Sequence, residues 1–329
     1  MNLRIRRRRF GQLAIASAAT AAIANLGSKA VAQQSEVILG VRLGKSSGGG
    51  GLLGGIVSSI TDLANNTPAI TLITSDLVSG REISVIDLPS IAVDNISTVV
   101  ETVAKAATTA LRERITGLTT LSDNTLVIAS VSQSRNGNVT RLVFSDPSSS
   151  RPKNSLKLSG FPTNNSTVES ILSTNDNNLL SVISLNNAIT PFDFASIDPR
   201  TGRVTPGAEL ALPAVELDRR YSNLASSPDG TIYATTLGRE GVTTLVQVDL
   251  ENRLTINGRG RINRLVPLSF ENEPLENDLL SLAFSRSGQL YALANPNYEA
   301  TNSLFSVDPR SGVLTLLRKF DASKITFPK

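Results

Sequence analysis

The chain has 329 residues with 32 basic and 28 acidic side chains, and a pI near 9.5. The basic excess belongs to residues 1–32, which hold six basic residues and no acidic one; 32 less six leaves 26 basic against 28 acidic, a net of −2, so no charge argument favours a nucleic acid. Cys, His and Trp are absent, which excludes disulfides, thiol catalysis, Ser-His-Asp triads, histidine proton transfer and nearly all zinc or copper chemistry.

The first element is a targeting signal. Arg7-Arg8-Arg9-Phe10 fits the twin-arginine pattern, and a mildly apolar run follows from Leu13 to Leu26. That run is too short for an ordinary bilayer span. Lys29 sits near the cleavage region, and Ala30-Val31-Ala32 offers small residues before a cut at Gln33. The expectation is a signal over 1–32 and export to a periplasm, an equivalent lumen or the cell surface. The mature part has no further run of membrane length.

Residues 33–56 read as an N-terminal strand, Val37 to Arg42, and a glycine-rich loop. Lys45 does not make a phosphate loop, because the glycines mostly follow the lysine instead of preceding it. The strand is expected to join the last blade and fasten a ring.

From residue 57 to 329 the dominant signal is repetition. Leu224-Ala225-Ser226-Ser227-Pro228-Asp229-Gly230-Thr231-Ile232-Tyr233-Ala234 has a counterpart in Leu282-Ala283-Phe284-Ser285-Arg286-Ser287-Gly288-Gln289-Leu290-Tyr291-Ala292. A first turn recurs at Asp123, Asp176, Asp229 and Ser287, spaced 53, 53 and 58. A second recurs at Asp146, Asp198, Asp249 and Asp308, spaced 52, 51 and 59. A weaker fifth copy precedes them, around Ile70 to Ile73 and Ile83 to Leu88. Short apolar runs between turn residues are strands, and Asp-Gly or Asp-Asn suits tight hairpins. Each unit supplies four strands, the size of one propeller blade. The expected fold is all-β, a β-propeller of about five blades, with six if residues 33–56 contribute more strands. The first strand of each unit is rich in Ser, Ala and Thr, as crowding around a central channel requires.

One segment has a different period. Ile96, Val99, Val100, Val103, Ala107, Ala110 and Leu111 recur at helical spacing, which predicts a helix over 95–113 covering a blade edge.

The paired Ser-Pro-Asp-Gly-Thr-Ile-Tyr-Ala and Val-Asp-Pro-Arg-Ser-Gly signatures resemble the blade repeats of the broad NHL, YVTN and regucalcin-like propeller group. That resemblance implies a fold and says little of function, since propellers host unrelated activities. It leaves open a regucalcin-like lactonase, which uses carboxylates and an amide around a divalent cation. Carboxylate-pair glycosidases also need no histidine, but this chain offers them few aromatic platforms.

The leading expectation is a non-catalytic binding or interaction propeller, with a metal-assisted or carboxylate-dependent hydrolase as the alternative. Inter-blade loops precede each innermost strand and carry the densest acidic and amide content. The candidate ligand face comprises Glu169, Glu216, Asp218, Arg219, Arg220, Glu271, Glu273, Glu276 and Asp278. Its carboxylates suit a small cationic or hydroxyl-rich ligand, or a protein, bound by a monomer. Asn175, Asp176 and Asn177 have the oxygen-rich side chains of a weak calcium candidate, but they occupy a hairpin position where Asn and Asp serve the backbone. Arg259, Arg261 and Arg264 alternate along an outer strand, where exposed arginines protect an edge.

Overall fold

Short β-branched runs alternating with tight turns give antiparallel hairpins, and here they stack radially. A computed structural model describes residues 36–44, 70–88, 113–134, 137–174, 176, 178–250 and 259–329. The signal and the expected helix lie outside these residues, apart from Glu113, which begins a strand.

The strands begin with β1 (Val37–Leu43), β2 (Ile70–Asp76) and β3 (Glu82–Leu88). The second blade is β4 (Glu113–Thr120), β5 (Leu126–Ser134), β6 (Gly137–Ser145) and β7 (Pro152–Lys157). The third is β8 (Thr167–Ser173), β9 (Leu179–Asn186), β10 (Ile189–Ile197) and β11 (Val204–Pro206). The fourth is β12 (Arg220–Ser226), β13 (Ile232–Leu237), β14 (Thr243–Asp249) and β15 (Arg261–Pro267). A small hairpin, β16 (Ser269–Phe270) and β17 (Glu273–Pro274), precedes the fifth blade, β18 (Ser281–Phe284), β19 (Leu290–Ala294), β20 (Ser303–Val307) and β21 (Val313–Lys319). The hairpin extends that blade's sheet through β16, which runs parallel to β21. Last comes β22 (Lys324–Thr326). The molecule is a five-bladed propeller. Among the described residues the helical element is one 3-10 turn, Gly207–Leu210.

Closure differs from the expectation. The strand β1 does not join the last blade; it pairs with β2 and belongs to the first. The chain's last strand, β22, completes that blade as its innermost member, with Gly40 opposite Ile325 and Val41 opposite Lys324. The sheet therefore begins at Val37, ahead of the boundary expected at 57. The reason is the edge β1 presents: its buried apolar residues face both neighbouring blades, and an unpaired edge there would strand backbone polar groups.

Five apolar clusters fill the five blade interfaces. Leu142, Val168 and Ile183 lie between the second and third blades, and Phe192, Tyr221 and Val246 between the third and fourth. Leu245, Leu290 and Phe305 join the fourth and fifth. Ile38, Leu304, Ile325 and Phe327 join the fifth to the first, and Leu72 meets Ile128 between the first and second. Each such side chain contributes about 1.5–3 kcal/mol by leaving water. The stabilisation is spread evenly around the ring, which is why every blade needs the same apolar pattern.

The Ser and Thr residues of the innermost strands stitch neighbouring blades. Thr119 accepts the Ser173 amide at 3.1 Å, Ser170 the Leu224 amide at 2.8 Å, and Ser281 the Ile325 amide at 3.0 Å. These strands converge too closely for large side chains. A Cβ on Gly117 would lie 2.6 Å from Ile171 Cγ1 of the next blade.

Candidate functional site

The innermost strands follow one another around the channel in the order β22, β4, β8, β12, β18. Each begins after an inter-blade loop; β4, β8, β12 and β18 end at a tight turn, and β22 runs on into residues 327–329. The channel therefore has a loop end and a turn end.

At the turn end the aspartates hold the backbone. Asp123 Oδ1 accepts the Thr125 amide at 2.9 Å, and Asp229 Oδ1 accepts the Thr231 amide at 3.0 Å. In the second turn the same bond runs from Ser148 to Asp146, Arg200 to Asp198 and Arg310 to Asp308, at 2.9, 2.8 and 2.9 Å. These hydrogen bonds hold all five carboxyls below the usual aspartate value, led by the backbone amide in Asp123, Asp198 and Asp308 and by a hydroxyl in Asp146 and Asp229. Gly202 and Gly312 close their turns at φ 70° and 76°, where a side chain would be strained. Asp176 is also a turn residue: it accepts from Thr174 and from Asn178 Nδ2. Its calcium-candidate partners Asn175 and Asn177 lie outside the described residues.

A cavity of about 440 Å³ opens at this end, lined by Thr119, Ser173, Ser226, Ser285, Arg286 and Lys329 among others. Its polar groups are largely committed: Thr119 to Ser173, Asp229 to its turn, and Arg286 to the carbonyls of Pro328 and Lys329.

The loop end holds the convergent charges. Glu169 is buried, its side chain 2% exposed, in the fork of Arg114 with contacts of 2.7 and 2.5 Å. Thr167 adds a third bond at 2.5 Å. The register of β8 slips between Val168 and Ser170, and such a bulge re-aims its residue. Asp278 accepts from Ser222 at 3.0–3.1 Å. Arg220 Nε lies 3.1 Å from Asp278 Oδ2, yet that buried N–H makes no hydrogen bond, so the contact is an ion pair only. Asn223, held at φ 55°, donates to Leu279 O at 2.8 Å and leaves its own Oδ1 without a partner. Lys324 is half-buried and donates to Leu280 O. Burial pushes its ammonium down to about 8. Asp278 and Glu169 act against that shift, and Arg220 and Arg114 act with it.

Of the residues expected from sequence, Glu169, Arg220 and Asp278 gather here. Glu216, Asp218 and Arg219 do not. Glu216 pairs with Arg219 at 2.8 Å and with Arg264 at 2.6 Å, Arg219 with Glu240, and Asp218 with Arg239, a network reaching out to the outermost strand β15. Glu271 and Glu273 belong to the β16–β17 hairpin beside the outer strand β21, with Glu271 at φ 52° in its tip. Glu276 is exposed in the following loop. Arg261 and Arg264 lie on the outermost strand of their blade as expected, while Arg259 precedes it and donates to Leu212 O.

Arg114 and Lys324 escaped the sequence reading. Arg114 followed a segment taken for helix, and Lys324 lay past the last recognised repeat. One signal was available: Arg114, Arg220 and Asp278 each stand nine residues before the first-turn position of their blades.

No family model and no curated protein matches the chain. Solved structures do resemble it. A Dyadobacter fermentans protein of unknown function matches at a TM-score of 0.45 and 8% identity, over 78% of this chain and 73% of that one. A luciferin-regenerating enzyme matches at 0.42 and 10%, over 77% and 69%. A Penicillium chrysogenum α-L-arabinanase bound to arabinobiose matches at 0.41 and 13%, over 79% and 75%. At these identities and scores the likenesses say nothing of ligand or activity.

Proposed function

We propose that the protein is an exported, non-catalytic binding propeller that takes a small polar ligand at the loop end of its channel. One observation carries the reading: five charged side chains from five blades, Lys324, Arg114, Glu169, Arg220 and Asp278, converge at the loop end, where the innermost strands begin. Charges brought together in a half-buried setting are costly unless they are paired or meet a partner. Both carboxylates there lie against arginines, which suits binding better than acid–base work. Among the described residues no three His, Cys, Asp or Glu side chains gather, so a cation at this end would have to be held partly by amide or carbonyl oxygens.

The test uses the chain from Gln33 onward and follows its thermal unfolding against small cations, polyols and anions, because a ligand of the folded state raises Tm. The reading predicts a saturable rise that Arg220→Gln abolishes. Turnover of any substrate that is lost in Glu169→Gln or Asp278→Asn would overturn the non-catalytic assignment. Millimolar calcium is expected to leave Tm unchanged. The export half of the proposal rests on the arginine pair and Ala30-Val31-Ala32, and predicts a mature N-terminus at Gln33 by direct sequencing.

A further inference from the structure

The ring of innermost strands carries one charge per blade at its loop end. In order these are Lys324 on β22, Arg114 on β4, Glu169 on β8, Arg220 on β12, and Asp278 just before β18. The signs read plus, plus, minus, plus, minus. An odd ring cannot alternate, so two neighbours must share a sign, and here they are Lys324 and Arg114.

The two carboxylates are each taken by an arginine: Glu169 by the Arg114 fork and Asp278 by Arg220. That leaves Lys324 as the surplus. Its ammonium has three N–H donors and donates to one carbonyl, that of Leu280. Across the channel the Arg220 side chain is 41% exposed, and its buried Nε makes no hydrogen bond. Lys324 keeps donors to spare, Arg220 is part-exposed beside Asp278, and the imbalance is a single positive charge.

We propose that the loop end of the channel binds a small carboxylate, seated between the Lys324 ammonium and the Arg220 guanidinium, with Arg114 adding to the field. This rests on the reading of that end as the ligand site, and names what the site takes. A monoanion restores neutrality, whereas a doubly charged phosphate overcompensates. Arg and Lys donors also match carboxylate oxygens in charge and geometry. The carboxylates of the loop end had suggested a cationic ligand; their pairing with arginines reverses the expected sign. Lys324 has to be charged to hold the anion, so affinity falls as the pH rises past the value near 8 at which burial places it, with Glu169, Asp278, Arg114 and Arg220 as the charged groups facing it.

Isothermal titration of the chain from Gln33 with acetate, phosphate, 1,4-diaminobutane and erythritol at low ionic strength tests this. Acetate is expected to bind at one site, about tenfold more weakly in Lys324→Met, the loss of roughly one charge contact. Lys324→Arg keeps the binding but removes its decline above pH 8. Glu169→Gln strengthens it, because a competing negative charge is gone. A merely structural disturbance weakens binding in both Lys324→Met and Glu169→Gln. Tighter binding of phosphate than acetate overturns the single-charge argument. Binding of the diamine or erythritol alone, sensitive to Lys324→Met, overturns the carboxylate and leaves the ligand site standing. Acetate binding indifferent to Lys324→Met and Glu169→Gln, or no binding of any probe to folded protein, counts against both.

Discussion

The turn face and the loop face of the propeller are built from the same five blades and follow opposite rules. At the turn end one residue type does one job in blade after blade: an aspartate accepts the amide two residues on, at 2.9 Å in Asp123, 3.0 Å in Asp229, and 2.9, 2.8 and 2.9 Å in Asp146, Asp198 and Asp308. At the loop end equivalent positions hold Arg114, Arg220 and Asp278, and they differ in sign. Repetition in a propeller marks what shapes the blade. Departure from repetition, at a fixed place in the blade, is where the proposed site lies.

The sharpest way to break the comparison is to open the ring. Removing residues 323–329 takes away β22 and leaves β1 with an unpaired edge. Ile325 and Phe327, 1% and 6% exposed, together represent about 3–6 kcal/mol of burial, against a typical total of about 5–15 kcal/mol. Urea unfolding should show loss of the cooperative transition; an unchanged midpoint would mean that β22 does not close the ring.

A smaller effect is expected where neighbouring innermost strands touch. Gly117→Ala places a methyl against Ile171 and should cost about 1–3 kcal/mol by overpacking. Substituting Gly230, whose Cβ would meet nothing within 4 Å, strains only the turn, at φ 87°. A larger loss at Gly230 than at Gly117 would place the crowding in the wrong part of the molecule.

Smaller still are the turn aspartates. Their folded carboxyls titrate below the ordinary 3.8, so their contribution is present above that value and is lost as the pH falls through the lower folded one. Asp123→Asn, Asp146→Asn and Asp308→Asn should each remove a similar, minor part of the acid dependence of Tm below pH 4. Unequal losses would show that the turns are not interchangeable.

The fold was legible because its signals are local and repeated. Asp-Gly and Asp-Pro-Arg-x-Gly fix turns whose spacing gives blade size, and five apolar interfaces demand five similar patterns. What was not legible was any contact between residues far apart in the chain. Lys324 lies on the strand that pairs with Val41, and nothing local in Asp321-Ala322-Ser323-Lys324 marks it as the closing strand. Among the candidate residues, acidic density picked out Glu169 and Asp278, which the structure brings to the loop end of the channel. It also picked out Glu271 and Glu273, because composition cannot tell a loop at the channel from a hairpin on the outer edge. The pairing of Arg114 with Glu169 was hidden for the same reason, since the two are 55 residues apart.

The central claim is that Lys324 is the surplus charge of the ring, and its own titration tests that most directly. The pKa can be followed by the ¹³Cε shift of Lys324, assigned through Lys324→Arg, in the wild type, in Glu169→Gln and with acetate. The account predicts a value near 8, lower in Glu169→Gln, which loses a neighbouring negative charge, and higher with bound acetate. In the wild type, stability then rises with pH between about 8 and 10.5, where the unfolded chain holds the proton and the folded one does not. A wild-type value near 10.5 that neither Glu169→Gln nor acetate moves would contradict the account.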